Sequence, residues 1–252
     1  MDTTERTALA KVPQVTLGFW LIKIAATTLG ETAGDAVSMS MELGYLVGSA
    51  LFALGFAAAV GAQIAVRRFN PPLYWATIIA TTTVGTTLAD FVDRSLGVGY
   101  AGGSSILLGL LLASLLVWRR VLGSVAVESV SDPRSELFYW LTILFSQTLG
   151  TALGDWVADS AGIGYAGAAL VFGTLLLLVA LLYRWTSISR TLLFWAAFVL
   201  TRPLGAVVGD FLDKPLAQGG LALSRYAASL VLFAFIVACV AVLPQRAARR
   251  AH

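Results

Sequence analysis

WLIKIAATTLGETAGD, Trp20–Asp35, is the stretch that decides the fold, because the chain writes it four times. The other copies are WATIIATTTVGTTLAD (Trp75–Asp90), WLTILFSQTLGTALGD (Trp140–Asp155) and WAAFVLTRPLGAVVGD (Trp195–Asp210). Each aspartate follows its tryptophan by 15 positions, and a glycine (Gly30, Gly85, Gly150, Gly205) follows it by 10. An aromatic residue stands before each tryptophan: Phe19, Tyr74, Tyr139 and Phe194. A tyrosine comes 10 positions past the aspartate in three copies (Tyr45, Tyr100, Tyr165) and 16 past it in the fourth (Tyr226), after a glycine-rich insertion. A spaced pattern repeated in this way is an internal repeat, and the repeat is the unit in which the chain has to be read.

Around the repeat the chain is apolar. Of its 252 residues 58% are hydrophobic and 12% charged, where a soluble domain carries about 25% charged residues. Apolar stretches at 14–39, 43–66, 73–93, 98–118, 136–158, 164–183, 190–212 and 223–243 are each long enough to cross about 30 Å of hydrocarbon. No cleavable signal precedes the first, so it reads as a retained helix. Each repeat then supplies a helix A, carrying the Trp-to-Asp stretch, and a helix B after it. The expected architecture is an all-α polytopic membrane protein: eight transmembrane helices as four parallel helix-hairpin repeats, A helices central and B helices peripheral. Residues 1–252 read as a single membrane domain with repeats at 14–66, 73–118, 136–183 and 190–243. A polar linker, 121–135, containing GSVAVESVSDPRS at 123–135, separates the halves. The first eleven residues read as disordered or interfacial, and the tryptophans as interface anchors.

Charge fixes an orientation. Arg6, Lys11, Arg67, Arg68, Arg119, Arg120, Arg134, Arg184, Arg190, Arg246, Arg249 and Arg250 fall on one side, and Arg94, Lys214 and Arg225 on the other. That asymmetry predicts that both termini are cytoplasmic. The basic residues sit at helix ends and argue against nucleic acid as a partner; the lipid bilayer is the expected one.

Read at steps of four, helix A shows a stripe 7, 11 and 15 positions after each tryptophan: Thr27, Glu31, Asp35; Thr82, Thr86, Asp90; Gln147, Thr151, Asp155; Arg202, Ala206, Asp210. Residues four apart share a helix face, and Lys23 extends the first stripe. Beside it run small residues, Gly30/Gly34, Gly85/Ala89, Gly150/Gly154 and Gly205/Gly209, which allow close helix approach. The pair of patterns predicts four A helices meeting with polar stripes inward. Ionisable groups in hydrocarbon cost at least about 2.5–3.5 kcal/mol each, so the acids must bind a cation, pair with bases or hold protons. The expected pairs are Lys23 with Glu31 and Arg202 with Asp210. Pro203 marks the expected site of irregular backbone, and DKPLAQGGLALSRY (213–226) the expected lid or entrance.

No nucleotide-binding loop, Cys/His metal set or Ser–His pair occurs; the one cysteine, Cys239, reads as apolar filler and the one histidine, His252, is terminal. An enzyme is not expected, nor a resident cofactor. The motifs KIAATTLGETAGD (23–35), SQTLGTALGD (146–155) and LTRPLGAVVGDFLDKPLAQGG (200–220) resemble a bacterial integral-membrane family of four tandem two-helix repeats of unknown function, each with a characteristic tryptophan. The resemblance spans about residues 14–243 and implies an eight-helix inner-membrane protein without a known substrate. Function is therefore read from the stripe. The first expectation is a transporter or channel for a small cation, a divalent metal such as Mn²⁺ included, with proton exchange. Its ligands would be carboxylates (Glu31, Asp35, Asp90, Asp155, Asp210) assisted by Thr27, Thr86, Thr151 and Gln147, a hard oxygen set. Lys23 and Arg202 would be tethered counter-charges. The alternatives are a proton-coupled permease for a small anion bound by Lys23 and Arg202, and a non-transporting scaffold or sensor.

Overall fold

The structure, a computed structural model, describes residues 10–160 and 162–248; the expectations placed on residues 1–9, Arg249, Arg250 and His252 lie outside them. Eight α-helices occur among the described residues: α1 (Leu17–Asp35), α2 (Gly44–Ala65), α3 (Pro71–Asp90), α4 (Gly99–Leu122), α5 (Pro133–Asp155), α6 (Gly164–Trp185), α7 (Arg190–Asp213) and α8 (Arg225–Val242). Each A helix begins on a side-chain cap, Thr16, Asn70, Asp132 or Ser189, which satisfies a backbone N–H at the helix start. Asp132 forms a capping box with Ser135. Burial works against its carboxylate, but the bonds from Ser135 and the Arg134 N–H hold its pKa below the usual value.

After Asp35, Asp90 and Asp155 the helix widens into a five-residue π turn: Ala36–Ser40, Phe91–Ser95 and Trp156–Ser160. The chain re-enters its second helix through Gly44, Gly99 and Gly164, at φ 74°, 74° and 65°, a left-handed backbone that a Cβ would strain. The fourth copy differs. There α7 runs on to Asp213, straight through Pro203, so the irregular backbone expected at the proline does not occur. The proline ring instead packs where Gly150 leaves room for it. The 213–226 segment folds back on α7, Leu221 N bonding Phe211 O at 2.8 Å and Leu223 N bonding Leu212 O at 2.9 Å.

The four A helices close a ring: α1 on α3, α3 on α5, α5 on α7, α7 on α1. Outside it, α2 packs on α3, α4 on α5, α6 on α7, and α8 returns to α1. The sequence repeat is thus not the packing unit; each B helix clasps the A helix of the following repeat, reached through the π turn and glycine loop in the first three copies and through the 213–226 segment in the fourth. Five helices, α2, α4, α6, α7 and α8, are long and apolar enough to cross a membrane. The remaining three reach the length but carry the polar stripe. Apolar residues face outward (Leu54 71%, Leu170 73%, Leu230 69% exposed) while charged ones are buried. This inversion of the soluble pattern identifies a helical membrane protein.

At one end of the ring the tryptophans meet. Trp75, Trp140 and Trp195 are buried among Phe19, Tyr74, Tyr139, Phe194 and Phe198, with ring centroids 5.1–6.4 Å apart. They are therefore core residues rather than interface anchors; only Trp20 stays partly exposed. The layer is tied down from below. Trp195 Nε1 donates to Val125 O at 2.9 Å and Trp75 Nε1 to Gln245 Oε1 at 3.1 Å. The linker is no loose connection: residues 121 and 122 belong to α4, and Val127 and Val130 are buried. Ala10 and Lys11 are buried too, Lys11 N bonding Val130 O at 2.8 Å and Lys11 Nζ lying 2.6 Å from Glu136 Oε1. The described end of the polar leader is thus ordered, because that buried pair holds it.

Glycines set the ring's diameter. A Cβ on Gly30 would strike Thr82, on Gly85 the backbone of Gln147, on Gly150 Arg202, and on Gly205 Thr27. Every glycine ten past a tryptophan receives the next helix's stripe residue. Substituting Gly150→Ala therefore lowers the thermal unfolding midpoint in detergent, by a destabilisation of about 1–3 kcal/mol. Gly55→Ala, on the outer helix α2 with open space around it, leaves the midpoint unchanged or raises it.

Candidate functional site: a layered polar column

Because helix A turns its stripe inward, the ring's interior is a stack of four layers spaced by four residues, roughly 6 Å each. The first holds Lys23, Ile78, Ile143 and Phe198; the second Thr27, Thr82, Gln147 and Arg202; the third Glu31, Thr86, Thr151 and Ala206; the fourth Asp35, Asp90, Asp155 and Asp210. Every one of these side chains is at most 3% exposed.

Arg202 holds the second and third layers together. Its Nη2 donates to Glu31 Oε2 at 3.0 Å, to Thr86 Oγ1 at 2.5 Å and to Thr151 Oγ1, and its Nη1 to Thr27 O at 3.4 Å. One guanidinium thus touches α1, α3 and α5 from α7. It rises into the third layer because Ala206, its own helix's residue there, is small. The expected Arg202–Asp210 pair is not formed. Those residues stand eight apart on one helix, about 12 Å along the axis, while Glu31 lies across the ring within reach. Lys23 does not pair with Glu31 for the same reason. Its Nζ lies 4.1 Å from the centroid of Phe198 and makes no hydrogen bond.

The aspartate layer pairs in a twofold pattern. Arg94 bridges Asp90 (2.9 Å) and Asp155 (3.0 Å). Lys214 bridges Asp35 (2.5 Å) and Asp210 (2.9 Å), the latter as an ion contact rather than a directed hydrogen bond. Each base belongs to an even repeat and joins its own aspartate to that of the next repeat. Arg225 Nε, 2.9 Å from Asp213 Oδ2 and 3.9 Å from Asp35 Oδ2, extends the network. Two bases thus face four aspartates in this layer, and Oδ1 of Asp35 and of Asp155 is buried without a hydrogen bond. Carboxylate oxygens of Glu31, Asp35 and Asp90 lie within 4.8 Å of one another, as do those of Asp35, Asp210 and Asp213. Above the layer opens a cavity of about 690 Å³, lined by Arg94, Lys214, Arg225, Asp159, Tyr165 and Gln218 among others.

The column brings together all the residues selected from the stripe, in unequal roles. Thr27 Oγ1 bonds Ile24 O and Thr201 O, so its hydroxyl is used between helices. Gln147 has neither amide atom hydrogen-bonded. The sequence reading missed Arg94, Lys214, Arg225 and Asp213. A signal for two of them was present: Arg94 and Lys214 follow Asp90 and Asp210 by four, the spacing of a helical ion pair. Their bridges to the next repeat have no signature in a single helix.

A family model described as Repeat of Unknown Function (DUF347) matches the chain four times, at residues 18–69, 73–123, 138–189 and 193–246. No curated protein and no solved structure matches it.

The central pair sets a stability test. Removing one member of a buried ion pair strands the other, which costs about 3–5 kcal/mol, whereas replacing both by apolar groups is far milder. Arg202→Met alone should therefore lose most of that in reversible unfolding in mixed micelles. The double substitution Arg202→Met, Glu31→Leu should recover more than half, with Thr86 free to keep its bond to Thr82 O.

Proposed function

The chain belongs to the family of this repeat of unknown function, and from that premise we propose that it is a transporter or channel for a small cation, foremost a divalent metal such as Mn²⁺. In this reading all eight helices cross a bacterial inner membrane, in four parallel repeats forming one membrane domain, and both termini are cytoplasmic. The ring's polar column is the path. The observation that carries the reading is the buried convergence of Glu31, Asp35, Asp90 and Asp210, with Asp35 common to both carboxylate triads. Oxygens so spaced can close on one ion at the roughly 2.0–2.6 Å of magnesium or calcium, and an all-oxygen set suits hard ions.

Charge balance supports the same reading. Four buried aspartates against two bases leave a formal excess of two negative charges, which one divalent ion or two protons would offset. Lys214 and Arg94 hold carboxylates in pairs as a bridging cation would. They act as tethered substitutes that yield when an ion enters from the cavity. Lys214 stands at the start of the segment folded over α7, so withdrawal of that segment would free Asp35 and Asp210 together. Glu31 is the deeper station, where ion and proton compete.

Flux into liposomes reconstituted with the full chain tests this. Mn²⁺ entry is expected for the wild type, and Asp35→Asn, Asp155→Asn and Glu31→Gln should each slow it by about 10-fold or more, a barrier change of about 1.4 kcal/mol or larger. Wild-type flux from all three variants, or no flux of Mn²⁺, Mg²⁺, Ca²⁺ or Na⁺ by the wild-type protein, would end the proposal. Orientation has its own test, in a Cys239→Ser background. Gln218→Cys, on the segment above the aspartates, should react with an impermeant maleimide in intact spheroplasts. Ser187→Cys, at the opposite end between α6 and α7, should react only after permeabilisation.

A further inference from the structure

The lower half of the column carries the opposite charge problem. Lys23 is fully buried, and the three other members of its layer, Ile78, Ile143 and Phe198, are apolar. Its ammonium makes no hydrogen bond, and its charged neighbour is another cation, Arg202. In the layer above, Arg202 Nε, both amide atoms of Gln147 and Thr82 Oγ1 are likewise buried without partners. Such orphaned groups in a low-dielectric interior are strongly unfavourable unless something bonds to them. The Phe198 ring face offers Lys23 only a partial offset. Below lies the aromatic layer; above, Arg202 turns its Nη atoms away toward Glu31.

We infer that these unpartnered groups, between the Lys23 layer and the Arg202–Gln147 layer, form a binding site for one small monovalent inorganic anion, a halide or nitrate. The unsatisfied groups supply an ammonium, a guanidinium N–H, an amide NH₂ and a hydroxyl. These four can donate to an anion, while Gln147 Oε1, also unpartnered, is an acceptor that an anion would leave facing away. Water could satisfy the donors but would not offset the charge of an ammonium at this depth; an anion would. The site goes beyond the cation path proposed above: it uses none of the carboxylates and predicts binding at equilibrium, not flux.

Equilibrium dialysis of the purified full-length protein in detergent with radiolabelled chloride, gluconate replacing it in the buffer, tests the inference. About one chloride per chain should bind saturably and be displaced by bromide and nitrate. Lys23→Met should weaken binding roughly 100-fold and Gln147→Leu roughly 10-fold, as losses of a charged and a neutral donor. Should Lys23→Met not purify as a monodisperse species, Gln147→Leu decides. Absence of saturable binding of chloride, bromide and nitrate by the wild type would overturn the site, as would undiminished affinity in Lys23→Met or in Gln147→Leu. Because the assay contains no divalent cation, binding without cation flux would remove only the carrier proposal, and flux without binding only this one.

Discussion

Everything in this molecule follows from how closely its four inner helices approach. Where a Cβ would stand on Gly30, Gly85, Gly150 or Gly205, a stripe residue of the next helix stands instead. The contact is cyclic, so one glycine per repeat both narrows the ring and forces the neighbour's stripe against the axis. A second tier repeats it four residues on, where Gly34 abuts Thr86, Gly154 abuts Ala206 and Gly209 abuts Glu31. Packing without voids drives association in a membrane, where lipid offers no hydrophobic gain. Here the packing and the polar alignment are the same contact. The ring cannot tighten without lining its centre with polar groups.

That centre has two symmetries. The aspartate layer is twofold: repeats two and four each provide a base, Arg94 or Lys214, that spans to repeat three or one. Beneath it symmetry is lost. Glu31 faces Thr151, Arg202 faces Thr82, and Lys23 faces Ile143, although each pair occupies equivalent positions. Structural demands act alike on equivalent positions and preserve their chemistry; the shared aspartates and glycines are consistent with that. Residues that differ between equivalent positions answer to something that is not symmetric. A ligand bound off the axis would meet that description, since it touches some of four equivalent positions and not the others.

The sequence carried the ring's interior plainly because a helix writes its faces at intervals of four, and the stripe and small-residue ridge both keep that interval over Thr27–Asp35 and its copies. It was silent where contacts depend on which helix lies beside which. The step by which α2 leaves α1 for α3 is set by a π turn that no residue type announces. The pairing of Arg202 with Glu31 depends on the smallness of Ala206 in another repeat position. The tryptophans misled for a related reason. Trp75, Trp140 and Trp195 sit at helix ends, where an aromatic ring faces lipid headgroups as often as its neighbours, and only the ring's closure with residues 124–130 and 245–248 turned those ends into core.

Along the axis the charges are separated by sign. Aspartates in excess of their bases occupy one end, a base without an acid, Lys23, the other, and the Glu31–Arg202 pair divides them. On the proposed reading, a cation descending from the aspartates to Glu31 must displace Arg202. A guanidinium moved off Glu31 toward the Lys23 layer would approach that ammonium. Two like charges about 6 Å apart at an effective dielectric near 20 repel by roughly 3 kcal/mol, which would oppose the retreat. An anion held between those layers would turn that repulsion into attraction. The two ends of the column would then be coupled through one side chain: occupancy below would lower the barrier above, and the asymmetry of the inner layers would allow one arginine to serve both.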